Sequence, residues 1–234
     1  MYVLGIEAAT PVAAVAVVDG EKLLAERMVH NQRTHSVNLL PMIKAVLEDA
    51  EVKYNVLSGI AVSAGPGSFT GLRIGMATAK TLAQVWGLPV VGVSTLEALA
   101  HPLTGQKGLI CPILNARKNE VYAAIYRTTD GRLELLDGPM AVEPGELARN
   151  LKQRKTPVTI LGDGVPVYGR FFQAELGTQL FLAPGSARWP RGAAVAELGY
   201  RRLRDGGGVD PLALLPQYIR PPEAEVKWMQ KIKR

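Results

Sequence analysis

The chain has 234 residues, of which 47% are hydrophobic and 21% charged, so one or two globular domains with a real core are expected. The net charge of +6 permits contact with nucleic acid without requiring it, and a single cysteine excludes an internal disulfide. No run of about eighteen apolar residues occurs, and residues 1–11 are typical of a first strand rather than a secretory signal. These features favour a cytoplasmic protein without a membrane span.

The first hundred residues predict a sheet whose strands are followed by helices. Three apolar runs joined by short turns, beginning at YVLGIEAA, predict an antiparallel meander. Apolar residues at helical spacing predict a helix over residues 39–50, with Thr34 or Ser36 as its cap. A buried strand, a glycine run, a helix over about residues 70–86, another strand and a short helix follow. The order βββαβαβα predicts a mixed sheet with helices on its faces.

The second half of the chain is less regular. It predicts further strands, one hairpin and three helices, then an extended stretch and a final helix that starts with prolines. The polar segment over residues 100–108 marks the boundary between two lobes. We expect an N-terminal lobe of residues 1–104, completed by residues 210–234, and a smaller C-terminal lobe of residues 105–209.

The glycine-rich stretch SAGPGSFTGLRIG, residues 63–75, is the most distinctive motif of the chain. Its spacing fits neither a P-loop, which requires a lysine, nor the dinucleotide motif, which requires glycine where Thr70 stands. Pro66 also removes a backbone N–H that an anion would need. The stretch is therefore interpreted as a strand-to-helix turn in which glycines reverse the chain and the hydroxyl of Ser68 or Thr70 caps the helix. The residues of this loop are Gly65, Gly67, Ser68 and Thr70.

Small residues recur at every fourth position of the helix that follows. Gly71, Gly75, Ala79 and Ala83 would form a bare stripe along which another backbone can approach closely. Because glycine inside a helix costs about 1 kcal/mol against alanine, a packing gain is expected in return. The partner could be the preceding helix, the sheet or another subunit, and we interpret the stripe as a docking surface. The apolar residues beside it are Leu72, Met76 and Leu82.

No catalytic set is visible in the sequence. A ribonuclease H-type nuclease shares the strand order but needs several carboxylates around divalent metals, and Glu7 alone stands at a suitable strand end. His30 and His35 are five residues apart, so they do not form a helical i,i+4 metal pair. Asn115 and Arg117 follow a strand, where they would touch an anion or a partner or simply form a hairpin loop. No metal ligand is assigned, and the combination favours a binding or scaffolding subunit.

Several motifs together resemble one known family. They are LGIEAATPVAAVAVVDGE, HSVNLLPMIKAVLEDA, AVSAGPGSFTGLRIGMATAKTLA, GLPVVGVSTLEALA, NARKNEVYAAIY and PQYIRPPEAEVKWMQ. The chain resembles the bacterial TsaB (YeaZ) family over nearly its whole length, and GPGSFTGLRIG is the most specific element. The resemblance implies an α/β protein with the actin-like, Hsp70-type ATPase fold, which is ribonuclease H-like and has two lobes with mixed β-sheets flanked by helices.

The family also implies a function. Its members take part in forming N6-threonylcarbamoyladenosine at position 37 of tRNAs that read codons beginning with adenine. They are implied to be noncatalytic and to pair with the metal-bearing paralogue TsaD, which TsaE joins and for which TsaC makes the adenylate substrate. Contact with tRNA is expected to be indirect, through the complex, and a homodimer is expected when the protein is alone. No cofactor of its own is expected, and the complex interface is the candidate place for ATP or ADP.

The resemblance assigns the partner contact to two helices, here about residues 35–50 and 70–86. Combined with the small-residue stripe, it predicts the following interface with TsaD: Leu39, Leu40, Ile43, Leu47, Gly71, Leu72, Gly75, Met76 and Ala79. The candidate contacts to a nucleotide or a partner are Glu7, Thr10, Arg73 and Arg117.

Two positions depart from the family pattern. Glu7-Ala8 stands where relatives commonly have Asp-Thr, and Asn115 stands where they often have Asp. In the wider superfamily the acid at the first position helps to hold a nucleotide-bound metal, so the longer Glu7 speaks against independent ATP hydrolysis. The alternative hypothesis is a stand-alone small-molecule kinase or ATPase of the same fold, which would turn over ATP without a partner.

Overall fold

The computed structural model describes residues 1–31, 34–116 and 118–220, and these form two five-stranded sheets with six α-helices. The strands are β1 (Tyr2–Glu7), β2 (Ala13–Asp19), β3 (Lys22–Val29), β4 (Leu57–Gly65), β5 (Val90–Ser94), β6 (Leu109–Asn115), β7 (Val121–Thr129), β8 (Arg132–Val142), β9 (Val158–Leu161) and β10 (Leu180–Leu182). The helices are α1 (His35–Asp49), α2 (Phe69–Trp86), α3 (Thr95–Ala100), α4 (Pro144–Gln153), α5 (Val165–Leu176) and α6 (Gly192–Arg204). Within these residues, no helix has the length and hydropathy to cross a membrane.

The first sheet has the strand order β3-β2-β1-β4-β5. β1, β2 and β3 pair antiparallel, whereas β4 and β5 continue the sheet in parallel with β1, so the predicted meander and mixed sheet are both present. α1 and α2 cover one face, where they pack on Leu4 and Ile6 of β1. Val3 of the same strand faces the opposite side and packs against α6. Because both faces are covered, β1 and β2 are apolar along nearly their whole length.

The second sheet has the strand order β10-β9-β6-β7-β8. α4 and α5 pack on one of its faces around Leu147, Leu151 and Phe172. α3 packs on the other face, where Leu96 and Leu99 meet the sheet. α3 follows directly from the last strand of the first sheet, so one short helix joins the two sheets through a shared apolar contact.

The position of α6 differs from the expected division of the chain. Residues 105–209 were assigned to the C-terminal lobe, but α6 packs against β1, β2 and β4 of the first sheet. Its small residues allow a close approach, since a Cβ at Gly5 would lie 2.5 Å from the carbonyl oxygen of Gly192. The physical reason is that the second face of the first sheet needs an apolar cover. The rest of the lobe division stays a prediction.

Residues 209–220 form a segment, here called the strap, that runs along the first sheet and α2 and makes a turn at residues 211–213, where an extended stretch is expected from the sequence. Val209 pairs with Val90 at the edge of β5. The amide of Gln217 donates to the carbonyl oxygen of Ala64 at 2.6 Å, so the strap reaches the end of β4. The helix predicted beyond residue 220 lies outside the described residues.

Candidate functional site

The glycine loop between β4 and α2 is packed against two other segments of the chain. Gly65 and Gly67 have φ of +116° and +158°, which only glycine adopts readily. A Cβ at Gly67 would overlap the carbonyl oxygen of Ala9, and one at Gly65 would overlap that of Gln217. Both glycines are therefore needed for a close approach of backbones as well as for the turn.

The helix that follows the loop is capped by a hydroxyl of the loop. Ser68 accepts a hydrogen bond from the amide of Gly71 at 3.3 Å, while Thr70 lies one residue inside α2 and is exposed. The amide of Ser68 donates to the carbonyl oxygen of Ala9 at 2.7 Å. Two backbone donors at this helix start, the amides of Ser68 and Gly71, are thus already used within the protein.

The stripe of small residues on α2 faces the chain itself, so its interpretation as a docking surface is wrong. A Cβ at Gly71 would overlap the carbonyl oxygen of Ala8, and one at Gly75 would lie 3.0 Å from the Cβ of Ala8. The stripe lets α2 lie directly on the turn after β1 and on the sheet. The other buried members of the predicted interface are Leu39, Ile43, Leu72, Met76 and Ala79.

The side of α1 and α2 that faces away from the sheet is a different surface. Val37 and Leu40 are 57% and 55% exposed, and Val85 is 73% exposed. Both helices begin beside the turn after β1, so their exposed sides lie on the same face of the first sheet. We call this surface the outer face, and it comprises Val37, Leu40, Pro41, Lys44, Arg73, Ala77, Thr81 and Val85.

One signal in the sequence could have separated the two sides of α1. The buried residues Leu39, Met42, Ile43 and Val46 complete a helical stripe on their own. Leu40 lies outside that stripe, and its exposure marks an apolar residue that the core does not require. Leu47, the remaining member of the predicted interface, is half-buried.

Glu7 at the end of β1 is a fully buried carboxyl group. Its Oε1 accepts from the amide of Ala9 at 2.7 Å, and its Oε2 accepts from the hydroxyl of Ser63 on the neighbouring strand β4. Burial is the main reason that the pKa of Glu7 is raised from 4.5 to about 7, against the opposing effect of these hydrogen bonds. The carboxyl group of Glu7 is therefore protonated over much of the pH range in which surface carboxyl groups are ionised.

A second carboxyl group faces this region from the other sheet. Asp163 follows β9, and its Oδ1 accepts from the amide of Asn115, the last residue of β6, at 2.8 Å. Burial raises the pKa of Asp163, and its charge contributes to the raised pKa of Glu7. The carboxyl ends of strands from both sheets thus meet here.

In the part of the chain that the structure describes, no three His, Cys, Asp or Glu side chains are grouped so that they could hold a metal ion.

The other candidate contact residues do not join Glu7 in one site. Thr10 is buried, and its hydroxyl accepts from the amide of Val12 at 3.3 Å. Arg73 lies on the surface of α2, with its guanidinium 3.8 Å above the ring of Phe69 and its Nε 3.4 Å from the hydroxyl of Tyr218. Arg117 lies outside the described residues.

Asp163 was not identified from the sequence as a candidate site residue. Its position after a short strand, in the turn LGDG, is a signal that could have indicated it.

Comparison with known proteins supports one family. A model of the family described as TsaD, tRNA N6-adenosine threonylcarbamoyltransferase, matches residues 23–228. The TsaB protein of Bacillus subtilis, described as a tRNA threonylcarbamoyladenosine biosynthesis protein, is 33% identical over the full length of both chains. The solved structure of YeaZ from Pseudomonas aeruginosa superimposes with a TM-score of 0.77 at 25% identity, covering 93% of this chain and 99% of that one.

The fold is that of the actin-like ATPases and kinases. The ROK hexokinase from Thermus thermophilus shares it with a TM-score of 0.52 over 88% of this chain and all of that one, and at 15% identity the likeness concerns the fold alone. More specifically, the chain belongs to the TsaB (YeaZ) family, which takes part in tRNA threonylcarbamoyladenosine biosynthesis.

Proposed function

We propose that this chain is a noncatalytic accessory subunit of the complex that forms N6-threonylcarbamoyladenosine at position 37 of tRNAs reading codons that begin with adenine. In this proposal it binds the catalytic paralogue TsaD through the outer face of α1 and α2, and TsaE joins the pair. TsaC supplies the substrate, and any ATP or ADP binds at the complex interface. The proposed role belongs to the cytoplasm.

The observation that carries this proposal is the exposure of apolar side chains on the outer face. Val37, Leu40 and Val85 lie outside the buried sides of their helices and are each more than half exposed. Isolated exposed apolar residues are ordinary, but these lie on two neighbouring helices that pack on the same face of one sheet. A surface of this kind is suited to packing against a protein partner.

The contacts at the strand ends favour an accessory role over independent catalysis. The amide of Ser68 is occupied by the carbonyl oxygen of Ala9, and Glu7 is occupied by Ser63 and by the amide of Ala9. A kinase or ATPase would need such donors and carboxylates to be open to a nucleotide and its metal. The hypothesis of a stand-alone kinase is therefore supported by the fold alone, and steady ATP turnover by the purified chain would favour that hypothesis.

The proposal is tested by two matched variants. Val37 and Val167 are both the third residue of a helix and both 57% exposed, but Val37 lies on the outer face and Val167 lies on α5. Aspartate in a first helical turn suits the helix dipole, so Val37→Asp and Val167→Asp should both fold. We expect Val37→Asp to lose co-purification with TsaD from the same organism while Val167→Asp keeps it.

A thermal melt of each purified variant accompanies this measurement. If Val37→Asp folds and retains TsaD as well as Val167→Asp does, the outer face is not the contact. If both variants lose TsaD while both fold, the contact is not confined to the outer face.

A further inference from the structure

A cavity of about 620 Å³ opens at the end of the second sheet that lies away from Asn115 and Asp163. It is bounded by the turn over residues 105–108, by the last part of β7 and by the turn between α4 and β9. The site is therefore separate from the outer face and from the strand ends that hold Glu7.

Two arginines in the cavity wall are held in place by carboxylates. Arg127 Nη2 lies 2.8 Å from Glu134 Oε2, and Arg154 Nη2 lies 3.1 Å from Asp137 Oδ2. Arg154 Nε also donates to Asn150 Oδ1 at 2.9 Å. A guanidinium carries five N–H donors, so these pairings orient both groups and still leave donors for a ligand.

Further positive charge at the cavity is not neutralised. Lys107 is exposed in its wall and, within the described residues, makes no ion pair or side-chain hydrogen bond. Three cations, Lys107, Arg127 and Arg154, therefore line the cavity, and the two carboxylates beside it are both engaged by the arginines, so the charge of Lys107 is left uncompensated. A cavity with this charge attracts anions.

We infer that this cavity binds phosphate groups of an RNA backbone. Oriented guanidinium groups and a free ammonium group are the donors that recognise phosphate. The cavity is lined by glycine, threonine, leucine, glutamine and basic residues without an aromatic ring, so it offers nothing on which a base would stack. Recognition of phosphate without a base is typical of backbone contacts. The inference rests on the proposed function, since it makes the tRNA contact direct.

The test measures binding of unmodified tRNA to the full-length chain by fluorescence anisotropy at several salt concentrations. The cavity variant is Lys107→Gln with Arg127→Gln. Its matched control is Lys22→Gln with Arg170→Gln, which changes the charge equally at exposed positions on β3 and α5. We expect the cavity variant to bind about tenfold more weakly, with a salt slope lower by about 1–2, and the control to change less than about twofold.

Three results would overturn the inference. The wild-type chain could fail to bind tRNA, the control could lose as much affinity as the cavity variant, or millimolar ATP or inorganic phosphate could displace the tRNA at unchanged ionic strength. The last result would assign the cavity to a small phosphate compound. Co-purification with TsaD is measured on the same cavity variant, so that the two proposals can be separated. A failure of the cavity inference appears in the tRNA measurement, whereas a failure of the proposed function appears only in the TsaD measurement.

Discussion

The two sides of the α1–α2 layer use apolar and small residues for opposite purposes. On the inner side Gly71 and Gly75 bring α2 onto the turn after β1, and Leu39 fills the core. On the outer side Val37 and Leu40 are exposed to solvent. The comparison teaches that glycines in a helix indicate a close backbone contact without indicating whether the contact lies within the chain or with a partner.

The largest loss of stability is expected from a substitution that adds a side-chain atom on the inner side of α2. Gly71→Ala would place a Cβ on the carbonyl oxygen of Ala8, which is backbone and cannot move without shifting the turn after β1. We expect the free energy of unfolding to fall by about 4 kcal/mol, at the upper end of overpacking effects. Gly185→Ala is the control, because a Cβ there meets no atom within 4 Å. Urea denaturation of both variants makes the measurement, and equal midpoints would contradict the assignment of the stripe to the inner side.

Neighbouring leucines on α1 sharpen the contrast between the sides. Leu39 is 1% exposed and Leu40 is 55% exposed. Leu39→Ala should cost about 2–5 kcal/mol of stability through the cavity that it leaves. Leu40→Ala should cost less than about 0.5 kcal/mol in the isolated chain. Urea denaturation makes this measurement too, and a large loss for Leu40→Ala would show that the outer face is covered within the protein.

A pH dependence is expected from Glu7, beneath the inner side. Its pKa of about 7 in the folded chain lies above the 4.5 of the exposed group, so the folded state binds more protons between these values. The contribution of Glu7 to stability is therefore fully present below pH 4.5 and is lost as the pH rises through 7, by at most about 3 kcal/mol. Glu7→Gln should remove this pH dependence and be more stable than wild type at pH 8. Denaturation curves from pH 5 to pH 8 test it, and parallel profiles for both proteins would contradict it.

A smaller loss of stability than for Gly71→Ala or Leu39→Ala is expected where the strap meets α2. Lys80 Nζ donates to the carbonyl oxygens of Leu212 and Leu214 at 3.3 and 3.0 Å. Lys80→Met keeps most of the apolar side chain and loses both hydrogen bonds, which should cost about 1 kcal/mol because the carbonyl groups stay near water. Amide hydrogen exchange of residues 209–217 should rise in this variant and stay unchanged in Leu40→Ala. Unchanged exchange in Lys80→Met would show that Lys80 does not hold the strap.

Local patterns were enough to predict the first half of the fold. The apolar runs gave the meander, and the helical spacing of Leu39, Ile43 and Val46 indicated α1. Ser68 was one of two predicted caps of α2, and the structure selects it over Thr70. Such features depend on residues within a few positions of each other, so a single sequence carries them.

The features that local patterns missed all join distant segments. α6 crosses back to the first sheet, the strap reaches Ala64 from Gln217, and Asp163 approaches Glu7 from the end of the second sheet. No spacing in the sequence encodes which distant backbone a glycine stripe will meet. The membership of the TsaB (YeaZ) family was visible in the motifs, because they are contiguous.

By itself, the sequence determined the family, the alternation of strands and helices, and the departure of the glycine run from the P-loop and dinucleotide motifs, since these depend on residue identity and short spacing. Only the tertiary structure decided that Gly71 and Gly75 face Ala8 within the chain, that Leu40 lies outside the core, and that Glu7 is buried with a raised pKa. The reason is physical: burial and close approach depend on which surfaces meet, and that is settled when the sheets, the helices and the strap pack together.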